Sequence, residues 1–260
     1  MTFNHVFKIS KVEPGLIQNF RYSRYMKRYK RLLAEEKNYP NPLDTLEGWV
    51  DSHGHSYRTT LNPVHEFVIT RVLKTESTSV LEVGSGPGIV AKYLHSRFTD
   101  IGREINLNCL ENSKNRVELM KTNFTHESKI IEPFRDIDAQ IIHGNAQDIP
   151  LGDESIDLVY TCTVLQHIPF PANVSAVLEI ARVSKRYVLH VEGFHSDGVI
   201  QTSRSRIGKR LRRRELTRLD LPQMYDDLGF DTIEFSTGIF PYQPEYRFMI
   251  FLGERREASL

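Results

Sequence analysis

The sequence has little cysteine, a single tryptophan, almost no net charge and no long apolar run. Its two cysteines, Cys109 and Cys162, lie in apolar, strand-like stretches. They read as buried thiols rather than a disulfide, which fits a reducing compartment. A net charge of +1 excludes a global field that would draw the whole protein to nucleic acid or to a membrane. No apolar run approaches the length of a membrane span, and the first residues lack the continuous apolar region of a signal peptide. A cytoplasmic protein is expected, with peripheral membrane contact left open. Internal repeats and low-complexity segments are missing as well. The 40% hydrophobic and 26% charged residues that remain are ordinary for a globular chain, and the length allows a sizeable core.

What is present begins with residues 79 to 94. Val80, Leu81 and Val83 read as a short buried strand. Gly84, Ser85, Gly86, Pro87 and Gly88 follow as a tight turn, and Ile89, Val90, Tyr93 and Leu94 start a helix. Glycine serves where a chain turns with positive φ or where a ligand nears the backbone. A helix start offers free N–H groups to a polar ligand. Strand, turn and helix together make a cradle for a nucleoside cofactor. The dinucleotide fingerprint places its third glycine one residue later than Gly88, where this chain has Ile89. An ordinary strand–helix turn and a nicotinamide or flavin site are the alternatives at this stage.

Downstream the pattern alternates strand and helix, which predicts a doubly wound α/β fold. Strands are expected around Leu107 and Cys109, at Ile141 and Ile142, over residues 155–162 and over residues 186–192. Helices are expected over residues 113–122, from Pro171 through Ala181 and over residues 221–228. Residues 230–236 and 246–253 read as two final strands. Residues 1–61 form an expected N-terminal extension, in which residues 17–36 are a basic amphipathic helix. Its loop carries Tyr57 and Arg58, candidates for holding a substrate. Residues 62–260 are the expected cofactor domain, with a basic lid over 193–216. Arg204, Arg206, Lys209, Arg210, Arg212, Arg213 and Arg214 crowd that lid, and arginine suits phosphate or carboxylate.

Candidate site residues fall just past the strand ends, where open α/β sheets bind ligands. Glu111 follows the second strand and can accept from ribose hydroxyls. Asn145 follows the third, and its carbonyl can accept from an adenine amino group. His167 follows the fourth, where an imidazole can take a proton near neutral pH. His190, Glu192 and His195 end the fifth. They read as pocket-lining groups, with His195 a second candidate base and a divalent-metal set as an alternative.

Four stretches carry a resemblance. Glu82-Val-Gly84-Ser-Gly86-Pro-Gly88 resembles the first motif of class I S-adenosylmethionine (SAM) methyltransferases, and Gly144-Asn145-Ala146 through Pro150 resembles their adenine motif, with Asn145 where the family usually has Asp. Asp153-Glu-Ser155-Ile-Asp157-Leu-Val159 and Leu165-Gln166-His167-Ile-Pro169 resemble the fourth strand and its turn, with Gln166 in place of a histidine. The resemblance covers about residues 78–192 and implies a seven-stranded, mostly parallel sheet whose last strand is antiparallel. It implies SAM as cofactor, with contacts from Glu82, Gly84, Ser85, Gly86, Gly88, Glu111, Asn112, Asn145, Ala146 and Thr161. The turn after the fourth strand lacks the Pro-Pro-aromatic motif of many amino-methylating enzymes, and neither cysteine adjoins a proline. Oxygen methylation of a small-molecule, sugar or lipid-linked acceptor, anionic in view of the lid, is therefore expected. An RNA methyltransferase and a non-catalytic SAM-binding partner protein are the alternatives.

Overall fold

A computed structural model describes residues 63–126, 136–168, 172–194, 200–201, 218–240 and 243–257. The extension over 1–61, with Tyr57 and Arg58, lies outside the described residues. So do His195, Arg213 and nearly all of the basic lid.

Seven strands build one sheet: β1 (Ser79–Val83), β2 (Asn106–Glu111), β3 (Gln140–His143), β4 (Ile156–Cys162), β5 (Ser184–Phe194), β6 (Phe230–Phe240) and β7 (Gln243–Arg255). Their order is β3-β2-β1-β4-β5-β7-β6. The first five pair in parallel, and β7 runs antiparallel to both β5 and β6. The helices are α1 (Pro63–Lys74), α2 (Ile89–Asp100), α3 (Lys114–Asn123), α4 (Ala172–Val183) and α5 (Leu221–Asp227). The last two strands are longer than expected from sequence. Within the expected lid, Ile200–Gln201 pairs with Arg218–Leu219 as a two-residue ribbon.

The two-residue period of the strands sorts side chains into two cores. Val80, Leu107, Cys109, Leu158, Tyr160, Leu189 and Val191 pack under α1, α2 and α3. Leu81, Val83, Leu110, Val159, Val188, Met249 and Phe251 pack under α4 and α5. Both faces are covered, so the middles of β1 and β4 read as nearly continuous apolar runs.

Both cysteines are free. Cys109 on β2 and Cys162 on β4 flank β1, two strand spacings of about 4.8 Å apart, beyond the reach of a disulfide. Asp157, in the most recognisable fourth-strand motif, does structural work. Its Oδ2 accepts from Thr78 N, Ser79 N and Thr78 Oγ1, and its own N–H donates to Ser79 Oγ. The entry ends of β1 and β4 are thereby sewn together, away from the strand ends where the glycines lie.

Candidate functional site

The glycine turn is stitched to the end of β2. Gly84 N and Ser85 N both donate to Leu110 O, at 2.8 and 3.0 Å. Gly84 and Gly88 have φ of 75° and 81°, and neither has room for a side chain. A Cβ on Gly84 would stand 2.7 Å from the Val164 methyls, and one on Gly88 2.5 Å from the Phe124 ring. Gly86 also turns with positive φ, and Ser85 Oγ closes back on Glu82 O at 3.0 Å.

Glu111 and the neighbours of α3 lock this turn from the side. One carboxylate oxygen of Glu111 accepts from Gly86 N at 2.9 Å, the other from Asn112 N and Ser113 N. A carboxylate has about four lone-pair directions, so three are in use and about one is left for a ribose hydroxyl. This differs from the expected grip on both hydroxyls: Glu111 is first the anchor of the turn. Asn123, the last residue of α3, donates from Nδ2 to Pro87 O at 2.8 Å, and its own carbonyl accepts from Lys92 Nζ at 2.7 Å. Lys92 is fully buried, and burial pulls its ammonium down to about 8.

Glu82 ends β1 between Cys109 on β2 and Tyr160 on β4, and is 3% exposed. Its Oε2 has no hydrogen-bond partner among the described residues. Burial pushes its carboxyl up to about 8, the Tyr160 hydroxyl beside it working the other way. Asn112 just past β2 and Asn145 just past β3 are exposed, and Ala146 is half-buried against the second core. Arg182 of α4 pins this loop through Ile149 O, Leu151 O and Glu179, whose Oε2 accepts from Ile149 N.

The turn after β4 carries His167, which is exposed on a short 3₁₀ segment, Leu165–His167. Thr163 stands there at φ 57°, in a left-handed conformation that β-branched residues avoid. Gln166 Nε2 lies 3.2 Å from His167 Nε2. An amide nitrogen only donates, so His167 Nε2 is the accepting, unprotonated nitrogen.

Thr161, His190 and Glu192, expected to line the site, are enclosed among the described residues. All three are 0% exposed, on the α4 and α5 side of the sheet. Thr161 Oγ1 lies 2.7 Å from both His190 Nδ1 and Glu192 Oε1. Tyr225 of α5 takes the other ring nitrogen of His190 at 2.7 Å. With both nitrogens engaged, His190 has no lone pair for a metal. Among the described residues no group of three His, Cys, Asp or Glu side chains could hold an ion. Sequence reasoning missed Tyr225, Asn123, Lys92 and Arg182. Helical spacing marks such residues only as helix positions.

Residues 81–189, the span from β1 to β5 that builds this site, match a family model described as a methyltransferase domain. The sheet order is that of the class I SAM-dependent methyltransferase fold. Solved structures share its fold. One is magnesium protoporphyrin IX methyltransferase from Synechocystis PCC 6803 with bound SAM. It has 14% identity and a TM-score of 0.53, over 75% of this chain and 79% of that one. Another is 1,6-didemethyltoxoflavin-N1-methyltransferase from Burkholderia thailandensis, with S-adenosylhomocysteine and its substrate bound. It has 9% identity and a TM-score of 0.57, over 90% of each chain. A third is a SAM-dependent methyltransferase from Methanosarcina mazei, with 15% identity and a TM-score of 0.55, over 74% of this chain and 98% of that one. No curated protein matches the sequence. The cofactor of the methyltransferase is SAM. Its residues fit that group: a glycine turn with no room for side chains, and beside it a buried carboxyl oxygen without a partner, suited to a cationic ligand. Among the described residues no helix is long and apolar enough to cross a membrane.

Proposed function

We propose that this methyltransferase methylates an oxygen of a small-molecule, sugar or lipid-linked acceptor, one that carries negative charge. Gly84, Ser85, Gly86 and Gly88 hold the cofactor against the turn, Glu111 offers its remaining lone pair to the ribose, and Asn112, Asn145 and Ala146 border the base. Glu82 meets the cationic amino-acid end. Bound SAM supplies an electrophilic methyl group on a sulfonium.

The observation that carries the reading is His167, exposed on the turn after β4 with its Nε2 3.2 Å from the Gln166 amide nitrogen. A hydroxyl acceptor must lose its proton as it attacks. His167 takes that proton at Nε2, releasing the Gln166 amide as it does so. Positioning the acceptor in line with the methyl group supplies the rest. Thiolate chemistry is disfavoured, because burial pushes both Cys109 and Cys162 well above the usual thiol range. The arginines of the 193–216 segment favour an anionic acceptor.

Labelled SAM with a panel of hydroxylated, carboxylated, amine and RNA acceptors tests this. Transfer to an oxygen is expected. His167→Ala should then lower kcat by about 10²–10⁴ while SAM affinity by calorimetry stays the same. Transfer to RNA or to a nitrogen, or a His167→Ala protein with normal kcat, would defeat the proposal.

A further inference from the structure

Behind the turn that carries His167 lies a row of four polar side chains, each 0% exposed: Tyr225, His190, Thr161 and Glu192. Adjacent members are 2.7 Å apart. An ionised carboxylate only accepts, so Thr161 gives Glu192 its single proton. The Thr161 oxygen then accepts from His190 Nδ1–H. That leaves His190 Nε2 bare, and Tyr225 donates to it. One tautomer of His190 satisfies the whole row.

The acid end of this row reaches the turn. Glu192 Oε1 accepts from Val164 N at 3.1 Å, and Oε2 from Gln166 N at 3.4 Å. Just before Val164 is Thr163, left-handed at φ 57°. Strained backbone of this kind persists only where its surroundings hold it. Thr163 N donates to Val191 O at 2.7 Å, the other half of the grip. Gln166 lies flat on Gly193, where a Cβ would meet its Oε1 at 1.9 Å, and its amide touches His167. One residue, Gln166, thus separates Glu192 from His167.

We propose that Glu192 is a positioning residue whose ionised carboxylate holds the Val164–His167 turn, and that taking up one proton reverses the row and slackens the turn. This rests on the reading of His167 as the base. The proton balance is simple. Glu192 Oε1 takes the Thr161 hydroxyl proton, Thr161 takes the Nδ1 proton, His190 Nε2 takes the Tyr225 proton, and Tyr225 takes one proton from solvent. Four protons then sit where three did, and Glu192 is neutral.

Among the described residues few groups face Glu192, apart from the backbone N–H groups of Val164, Leu165 and Gln166. Its own strand offers His190, β4 offers Thr161 and Cys162, α5 offers Tyr225, and the turn offers Gln166 with His167 beyond it. β7 offers apolar Met249 as its register partner. Among the described residues no Lys or Arg pairs with it. Burial sends Glu192 up to about 7 and His190 down to about 3, so the row takes its proton at the acid and keeps the imidazole neutral.

Nitrogen-15 NMR of histidine rings and backbone amides, from pH 5.5 to 8.5, tests this on the cofactor-free and S-adenosylhomocysteine-loaded protein. His190 should stay neutral yet pass from the Nδ1–H tautomer at high pH to Nε2–H at low pH. Val164 and Gln166 amides should shift with the same midpoint, near 7. Glu192→Gln should flatten both curves and lower kcat by up to about 10²-fold, with S-adenosylhomocysteine affinity unchanged. A single His190 tautomer across the range would overturn the proposal, and so would amide curves identical in Glu192→Gln. The wild-type titration decides the matter even if Glu192→Gln does not fold. A His167→Ala protein with normal turnover defeats the base reading but leaves the His190 titration as it was, so the two failures are told apart.

Discussion

Glu82 concentrates the physics of single residues in this protein. It is enclosed between Cys109 and Tyr160, one oxygen has no partner among the described residues, and its carboxyl is pushed up to about 8. A positive charge arriving beside such an acid favours its ionised form. Binding of SAM with its cationic end beside Glu82, as proposed, should therefore expel a proton near neutral pH. Calorimetry at pH 7 in two buffers of different ionisation enthalpy should show that release. Affinity should rise by up to about tenfold per pH unit as pH climbs toward 8, and Glu82→Gln should remove the dependence. If wild type and Glu82→Gln share one flat profile, Glu82 only props the strand end. The acid was legible in the sequence by its place before the first glycine. Its missing partner was not, because only the register of three adjacent strands shows what surrounds it.

Among the elements, α2 and α3 grip the glycine turn through one side chain and one carbonyl. Asn123 satisfies Pro87 O, and its own carbonyl satisfies the buried Lys92. Asn123→Ala leaves the Pro87 carbonyl buried and unpaired, at a cost of about 1–3 kcal/mol. Urea unfolding should show that loss, together with weaker SAM binding, because the turn loses its support. Normal stability in the variant would mean water replaces the amide. The helices and the five parallel strands were readable from period and glycine signals. The length of β6 and β7 was not: the expected strands covered 230–236 and 246–253 only. Gly238 instead sits inside β6, where a Cβ would stand 2.6 Å from the Phe248 ring. The burial of Thr161, His190 and Glu192 was not legible for a related reason. Alternation put His190 and Glu192 on one face, but it cannot say whether that face opens to a ligand or closes under α5.

At the scale of the whole molecule, buried acids and a buried imidazole set opposite pH limits. Glu82 and Glu192 hold protons up to about 8 and 7, against 4.5 when unfolded. The stability they bring is complete below 4.5 and lost as pH rises through 7 to 8. His190 stays neutral down to about 3, against 6.5 unfolded, so its stability is present above 6.5 and lost as pH falls. Asp157, Glu179 and Glu234 are held below the usual carboxylate range, chiefly by hydrogen bonds, and add to the loss in acid. The melting temperature should therefore peak on the acid side of neutrality and fall between pH 6.5 and 8.5. Glu82→Gln should shallow that fall in a thermal scan. A melting temperature that climbs steadily from pH 6.5 to 8.5 would contradict the assignment.

The sheet order also sets a timetable for assembly. β7 is the last strand in sequence, yet it lies between β5 and β6. While the chain is being made, the edge of β5 from Tyr187 to Phe194 has no partner until residues 247–254 emerge from the ribosome. Until then β5 offers a free row of backbone donors and acceptors, and β6 has nothing to join. Closure of the sheet is thus a late event, and a nascent chain halted before Arg247 exposes a strand edge of the kind that chaperones meet.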